Sequence, residues 1–105
     1  MTQQENPTSS QPRLVITKYS ANWCAPCKAL ATSLEFELQK RNNGVSFVLN
    51  NVNIEDSPEE AALAGVRAVP TVVVWDNDLN TEVHRFIGNK GLVEVKAMLD
   101  TLGVV

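Results

Sequence analysis

The chain has 105 residues, 44% of them apolar and 20% charged, with five prolines, five glycines and two cysteines. That length supports one domain, and the composition is globular rather than disordered or fibrous. A net charge of −3 argues against nucleic acid or anionic lipid as an obligate ligand, and no apolar run reaches the roughly 18 residues of a membrane helix.

Residues 1–12, MTQQENPTSSQP, are polar, carry Pro7 and Pro12, and have little to bury. They read as a flexible tail ahead of a domain over residues 13–105. They have neither the basic start nor the apolar stretch of a secretory signal, which points to the reducing cytoplasm. A cysteine pair there is catalytic or metal-binding rather than structural.

Leu14 to Tyr19 is a β-rich run and reads as the first strand. Beyond Trp23-Cys24-Ala25-Pro26-Cys27-Lys28, the residues Cys27, Ala31, Leu34 and Leu38 fall on one face of a helix. That helix is predicted to end near Asn42-Asn43-Gly44, with Lys40 and Arg41 suited to its C-terminal dipole and Pro26 in its first turn. Val45 to Val52 reads as a second strand. Ser57-Pro58-Glu59-Glu60 predicts a short helix with Ser57 as N-cap and Glu60 closing a capping box, ending at Gly65. Val69 to Trp75 is nearly all apolar and predicts a central strand buried on both faces, opened by Pro70. Trp75 is assigned to packing. Asp76 to Asn80 is turn chemistry, Glu82 to Ile87 alternates as a hairpin partner, and Leu92, Val95, Leu99 and Leu102 mark a last helix stopping at Gly103. The order β-α-β-α-β-β-α predicts an α/β fold, a mixed four-stranded sheet flanked by helices.

The two cysteines sit where the first strand hands over to its helix, an edge that favours catalytic sites in α/β sheets. Three residues apart on a helix, their Cβ atoms lie about 5–6 Å from each other. A disulfide needs roughly 3.5–4.5 Å, so a small local adjustment closes or opens the bond. A free thiol with a pKa of about 8.5 is ~3% thiolate at pH 7, and a pKa of about 7 makes it half thiolate, a shift worth ~2 kcal/mol. A helix N-terminus supplies roughly 0.3–1 kcal/mol of this, and up to ~2 when partly buried. Cys24, at the helix tip, is predicted to be the exposed nucleophile. Cys27, one turn in on the apolar face, is the resolving thiol.

The run Trp23-Cys24-Ala25-Pro26-Cys27-Lys28, with Gly65 to Thr71 and Gly88 downstream, resembles the thioredoxin family over about residues 13–102. A cysteine pKa of about 7 is the value for which that motif is known. The resemblance implies a thioredoxin-like fold and a thiol–disulfide oxidoreductase acting on protein disulfides. It implies a cis Val69–Pro70 bond facing the cysteines, and a docking surface of Trp23, Ala68, Val69 and Gly88 beside Ala25, Pro26 and Pro70. Electrons are expected from a flavin-dependent thioredoxin reductase or an equivalent donor, since no Gly-x-Gly-x-x-Gly is present to bind a cofactor. No nucleic-acid or membrane partner is expected, and the chain is expected to be a monomer.

There are departures from the family. Only twelve polar residues precede the first strand, where relatives carry a further strand and helix. The family's buried aspartate, six residues before the first cysteine, is Lys18; its accompanying lysine is Asn51, and a tryptophan is replaced by Ser20. Near the pair, Lys18 would favour thiolate and make the couple more oxidising; alternatively its head bends to solvent.

Other readings are weaker. Zinc needs three or four ligands, and the chain has one histidine, His84, which reads as a surface strand residue. Asp76, Asp78, Asn80 and Glu82 lack the central Gly and closing Glu of a calcium loop. A glutaredoxin-like, glutathione-dependent reductase and a non-catalytic protein-binding module on the same scaffold are the alternatives. The first is favoured by the short N-terminus but disfavoured by Trp23 and Ala25.

Overall fold

Residues 11–105 are described in the structure, a computed structural model. Seven elements follow in the expected order: β1 (Leu14–Ser20), α1 (Ala25–Leu38), β2 (Phe47–Asn53), α2 (Pro58–Leu63), β3 (Thr71–Asp76), β4 (Thr81–Ile87) and α3 (Leu92–Thr101). The four strands form one mixed sheet in the order β2-β1-β3-β4. β1 pairs parallel with β2 and antiparallel with β3, and β3 pairs antiparallel with β4.

Alternation along β1 decides which residues meet which helix. Leu14 and Ile16 point to one face, with Val72 and Val74 of β3 and Phe86 of β4. Leu30, Leu34 and Leu38 of α1 and Val95, Met98 and Leu99 of α3 close over them. The opposite face is thinner. Tyr19, Val52 and Val73 pack under Ala61 of the six-residue α2. That helix is too short to cover the whole face, so Val48 and Trp75 stay exposed. Trp75, expected in packing, lies on this open half because it is in register with Val15, on the side away from α1.

Element ends differ from the sequence reading for local reasons. α1 stops at Leu38, not near Asn42. The chain tightens there, with Lys40 N–H donating to the Glu37 carbonyl (3.2 Å) and Arg41 N–H to that of Leu38 (3.1 Å). The capping box at Ser57 does not form: with φ −133° and ψ 63° its side chain makes no capping bond, and its own N–H donates to the Asn53 carbonyl. β3 begins at Thr71 rather than Val69, because the two preceding residues belong to a loop whose end Thr71 Oγ1 ties to the Ala68 carbonyl at 2.6 Å. Of the tail over 1–12, residues 1–10 lie outside the described residues; Pro12 is held through its carbonyl by Asn77 Nδ2 at 2.8 Å.

Beyond the C-terminal end of α1, Lys40 and Arg41 fold back on the buried Glu37, at 3.1 and 3.0 Å. Arg41 also reaches Asp100 of α3 (2.6 Å) and the Val104 carbonyl (2.8 Å). Alongside, Asn43 and Val45 donate to the carbonyls of Val105 and Gly103. Gly44 is glycine because a Cβ there would run into the Gly103 carbonyl. These bonds tie α1, the start of β2 and the chain end together.

Burial pushes the Glu37 carboxyl up, but the hydrogen bonds from Arg41 and Lys40 outweigh it and hold its pKa below the ordinary value. A depressed carboxylate contributes stability above its unfolded pKa of about 4.3, and loses it as pH falls through the folded value. Glu37→Gln is therefore expected to be less stable than the parent at pH 7. Its thermal midpoint, followed by circular dichroism from neutral to strongly acid pH, should fall less steeply on the acid limb.

Candidate active site

β1 runs down the middle of the sheet and releases the chain at Ser20. Ala21 to Trp23 make the turn, and Cys24 N–H donates back to the Ala21 carbonyl at 3.2 Å. Cys24 has extended φ/ψ (−94°, 102°) and is the N-cap of α1, with Pro26 in the first turn where no N–H is needed. The capping acceptor is sulfur: Cys27 N–H donates to Cys24 Sγ at 3.1 Å. Ser, Thr, Asp or Asn usually fills this role; here a cysteine of the disulfide pair fills it.

Cys24 and Cys27 are joined as a disulfide, with Cα atoms 5.3 Å apart. Cys27 is 2% exposed, as its place on the apolar face requires, but Cys24 is only 3% exposed. The expectation of an exposed Cys24 is thus not met in the closed pair. Its sulfur turns inward to bond Cys27 and take the Cys27 N–H, and it packs with Ala21, Ile54 and Val69. Ala21 and Ile54 were not identified from sequence. They meet the cysteines only because β1 and β2 end side by side, where Ile54 N–H donates to the Ser20 carbonyl (2.9 Å).

The residues around the pair come from three segments. Trp23 is 68% exposed, and Ala25 and Pro26 are also at the surface. The Val69–Pro70 bond is cis, Pro70 is buried, and Val69 packs against the cysteine cluster while Ala68 faces solvent. Gly88 N–H donates to the Pro70 carbonyl at 2.8 Å, and its φ of +91° is one that L side chains rarely adopt. This bond ties the end of β4 to the proline loop. His84 lies on exposed β4, its ring 6.2 Å from that of Phe86, and takes no part in this arrangement.

Lys18 lies on the α1 side of β1, in register with Val72 and Asn51, and is 7% exposed. Burial lowers its pKa, while the charge of Glu35 on α1 works the other way. Glu35 is eight residues along the helix from Cys27, about 12 Å in axial rise. A lysine with a lowered folded pKa sheds its proton before the unfolded chain does. Its burial therefore costs stability in full below the folded pKa, and the cost declines as pH rises through that value. Lys18→Met, which keeps a long apolar stem, is expected to be more stable than the parent at pH 7, by on the order of 1 kcal/mol. In urea denaturation the gap should narrow as pH approaches 10.

Comparison with known proteins agrees with this geometry. The thioredoxin family model matches residues 3–101. A thioredoxin of Buchnera aphidicola is 33% identical over 87 residues, 81% of this chain and 75% of that protein. A thioredoxin of Chlamydia caviae is 36% identical over 80 residues, 73% of this chain and 71% of its own length. The crystal structure of the germline-specific thioredoxin Deadhead from Drosophila melanogaster superposes with a TM-score of 0.77. It has 21% identity and covers 91% of this chain and 87% of that one. The family match extends through the last helix and leaves no element of the fold outside it: this chain belongs to the thioredoxin family.

Proposed function

We propose that this thiol–disulfide oxidoreductase reduces disulfides of other proteins, with Cys24 as the attacking thiol and Cys27 as the resolving one. The observation that carries this reading is the 3.1 Å bond from Cys27 N–H to Cys24 Sγ. A thiolate accepts that bond, and the field of the helix N-terminus, better than a thiol does. The reduced state therefore favours ionised sulfur at Cys24, which makes it both an attacking group and a good leaving group.

The cycle moves two electrons. Cys24 thiolate attacks a substrate disulfide, forms a mixed disulfide and releases one substrate thiolate. Cys27 then loses its proton and attacks Cys24 Sγ. The second substrate thiolate leaves, and the Cys24–Cys27 disulfide remains, to be reduced again by a flavin-dependent thioredoxin reductase or an equivalent donor. Trp23, Ala25, Pro26 and Ala68 offer exposed surface beside the pair, and Val69, Pro70 and Gly88 form the wall against which an extended substrate segment lies. In this reading Lys18 replaces the carboxylate that assists Cys27 in relatives, so its positive charge favours thiolate and makes the couple more oxidising. The cytoplasm is the proposed location. Among the described residues no helix is long and apolar enough to cross a membrane, and the similar proteins include mitochondrial thioredoxins of cattle and mouse. Neither the structure nor the similar proteins favour the glutathione-dependent or the non-catalytic alternative.

Insulin reduction with NADPH and a thioredoxin reductase tests the reading, run beside glutathione with its own reductase. Turnover is expected with the first donor, falling to background in Cys24→Ser, while Cys27→Ser stops at the mixed disulfide. Turnover that survives Cys24→Ser would overturn it. Lys18→Ala is expected to raise the cysteine pKa values, followed by thiolate absorbance; unchanged values would remove Lys18 from the mechanism.

A further inference from the structure

The register between β3 and β4 shifts at Val74/Trp75 and leaves Val83 out of the pairing. Residues three apart on a regular strand point to opposite faces. The extra residue cancels that alternation here. Glu82 pairs with Trp75 and Arg85 with Val73, so both stand on the α2 side. There Arg85 forks onto the Glu82 carboxylate, with Nε at 2.8 Å and Nη2 at 2.9 Å. Nη2 also donates to the Ala64 carbonyl at 2.6 Å. Ala64 is the C-cap of α2, a place where carbonyls lack intrahelical donors. α2 needs such a tie: it has six residues, no capping bond from Ser57, no basic residue in its last turn, and only Ala61 buried.

From Ala64 the chain turns through Gly65, at φ +72°, into the segment that ends at the cis bond before Pro70. β4 therefore holds this segment at both ends. Arg85 donates to the Ala64 carbonyl and, three residues on, Gly88 N–H donates to that of Pro70. Between these ties Val69 packs on the cysteine cluster, and the Ala68 carbonyl accepts from Thr71 Oγ1. We propose that Arg85, aimed by the bulge and braced by Glu82, is a positioning residue for protein substrates. It sets the start of the segment over 64–70, and with it the wall of Val69 and Pro70 against which an extended substrate lies. This role presupposes the proposed docking of protein disulfides at that wall. The guanidinium suits it because a rigid planar fork serves two acceptors at once, which an ammonium on a flexible stem does not. A small disulfide needs no wall to reach Cys24. The substrates that depend on Arg85 are thus disulfides carried in an extended polypeptide.

Two rates test this: insulin reduction with NADPH and saturating thioredoxin reductase, and the second-order reaction of the reduced chain with hydroxyethyl disulfide. Arg85→Ala is expected to raise KM for insulin roughly 5-fold, while kcat and the hydroxyethyl disulfide rate change less than ~2-fold. Arg85→Lys, with the charge but no fork, is expected to recover part of the loss. Glu82→Gln is expected to raise KM ~2-fold in the parent and to add nothing in Arg85→Ala, because it acts only through Arg85. If Arg85→Ala does not fold, Glu82→Gln makes the same test. An unchanged KM in folded Arg85→Ala overturns the inference, as does an equal fall in the rates with insulin and with hydroxyethyl disulfide. A parent chain that reduces no insulin overturns the proposed function first, and this role with it.

Discussion

Cys24 Sγ takes the amide hydrogen of Cys27 at 3.1 Å, and that bond makes one atom serve two purposes. It satisfies an orphan N–H at the start of α1, as any N-cap must. It also places a sulfur of the cysteine pair where the helix field favours negative charge. Redox state and helix capping are thereby coupled, since the sulfur that caps α1 is the one that forms and breaks the disulfide. The rest of the fold holds the strand and the helix so that this junction stays in place.

The support is uneven. On the α1 side of the sheet, two helices and three strands bury a continuous apolar core, into which β1 contributes Leu14 and Ile16. The next residue on that side of β1 is Lys18, buried next to Val72 and balanced by Glu35 of α1. A cation so placed costs stability. On the other side only the short α2 closes over Tyr19, Val52 and Val73, leaving the Val15–Val48–Trp75 row open.

The two ends of α1 are held by opposite means. At the N-terminus the acceptor is a single sulfur, which changes with redox state. At the C-terminus Glu37 is enclosed by Lys40 and Arg41, and Arg41 continues to Asp100 and the Val104 carbonyl. That network removes two charges from water and compensates them with several hydrogen bonds, which fixes the helix against α3 and the chain end.

Most of the element order was legible in the amino-acid sequence, because periodicity and turn chemistry are local: the helical face through Leu34 and Leu38, the apolar run before Trp75, the turn at Asp76 to Asn80. The cysteine pair and its place at a helix start were legible for the same reason, and the likeness of its motif to thioredoxins pointed to the cis bond at Pro70. Contacts between distant segments were not. Nothing in the sequence singles out Glu37, which Arg41 and the chain end enclose, and Ile54 has no signal linking it to Cys24. Cys24 was expected to be exposed, and its burial follows from the inward turn of its sulfur toward Cys27 and Val69. The exposure of Trp75 likewise rests on how far α2 reaches across the sheet. By itself, then, the sequence determined the order of elements and the chemistry at the strand–helix junction, both set by neighbours along the chain. Tertiary structure alone decided which side chains are covered, because burial depends on the lengths and packing of elements far apart in sequence.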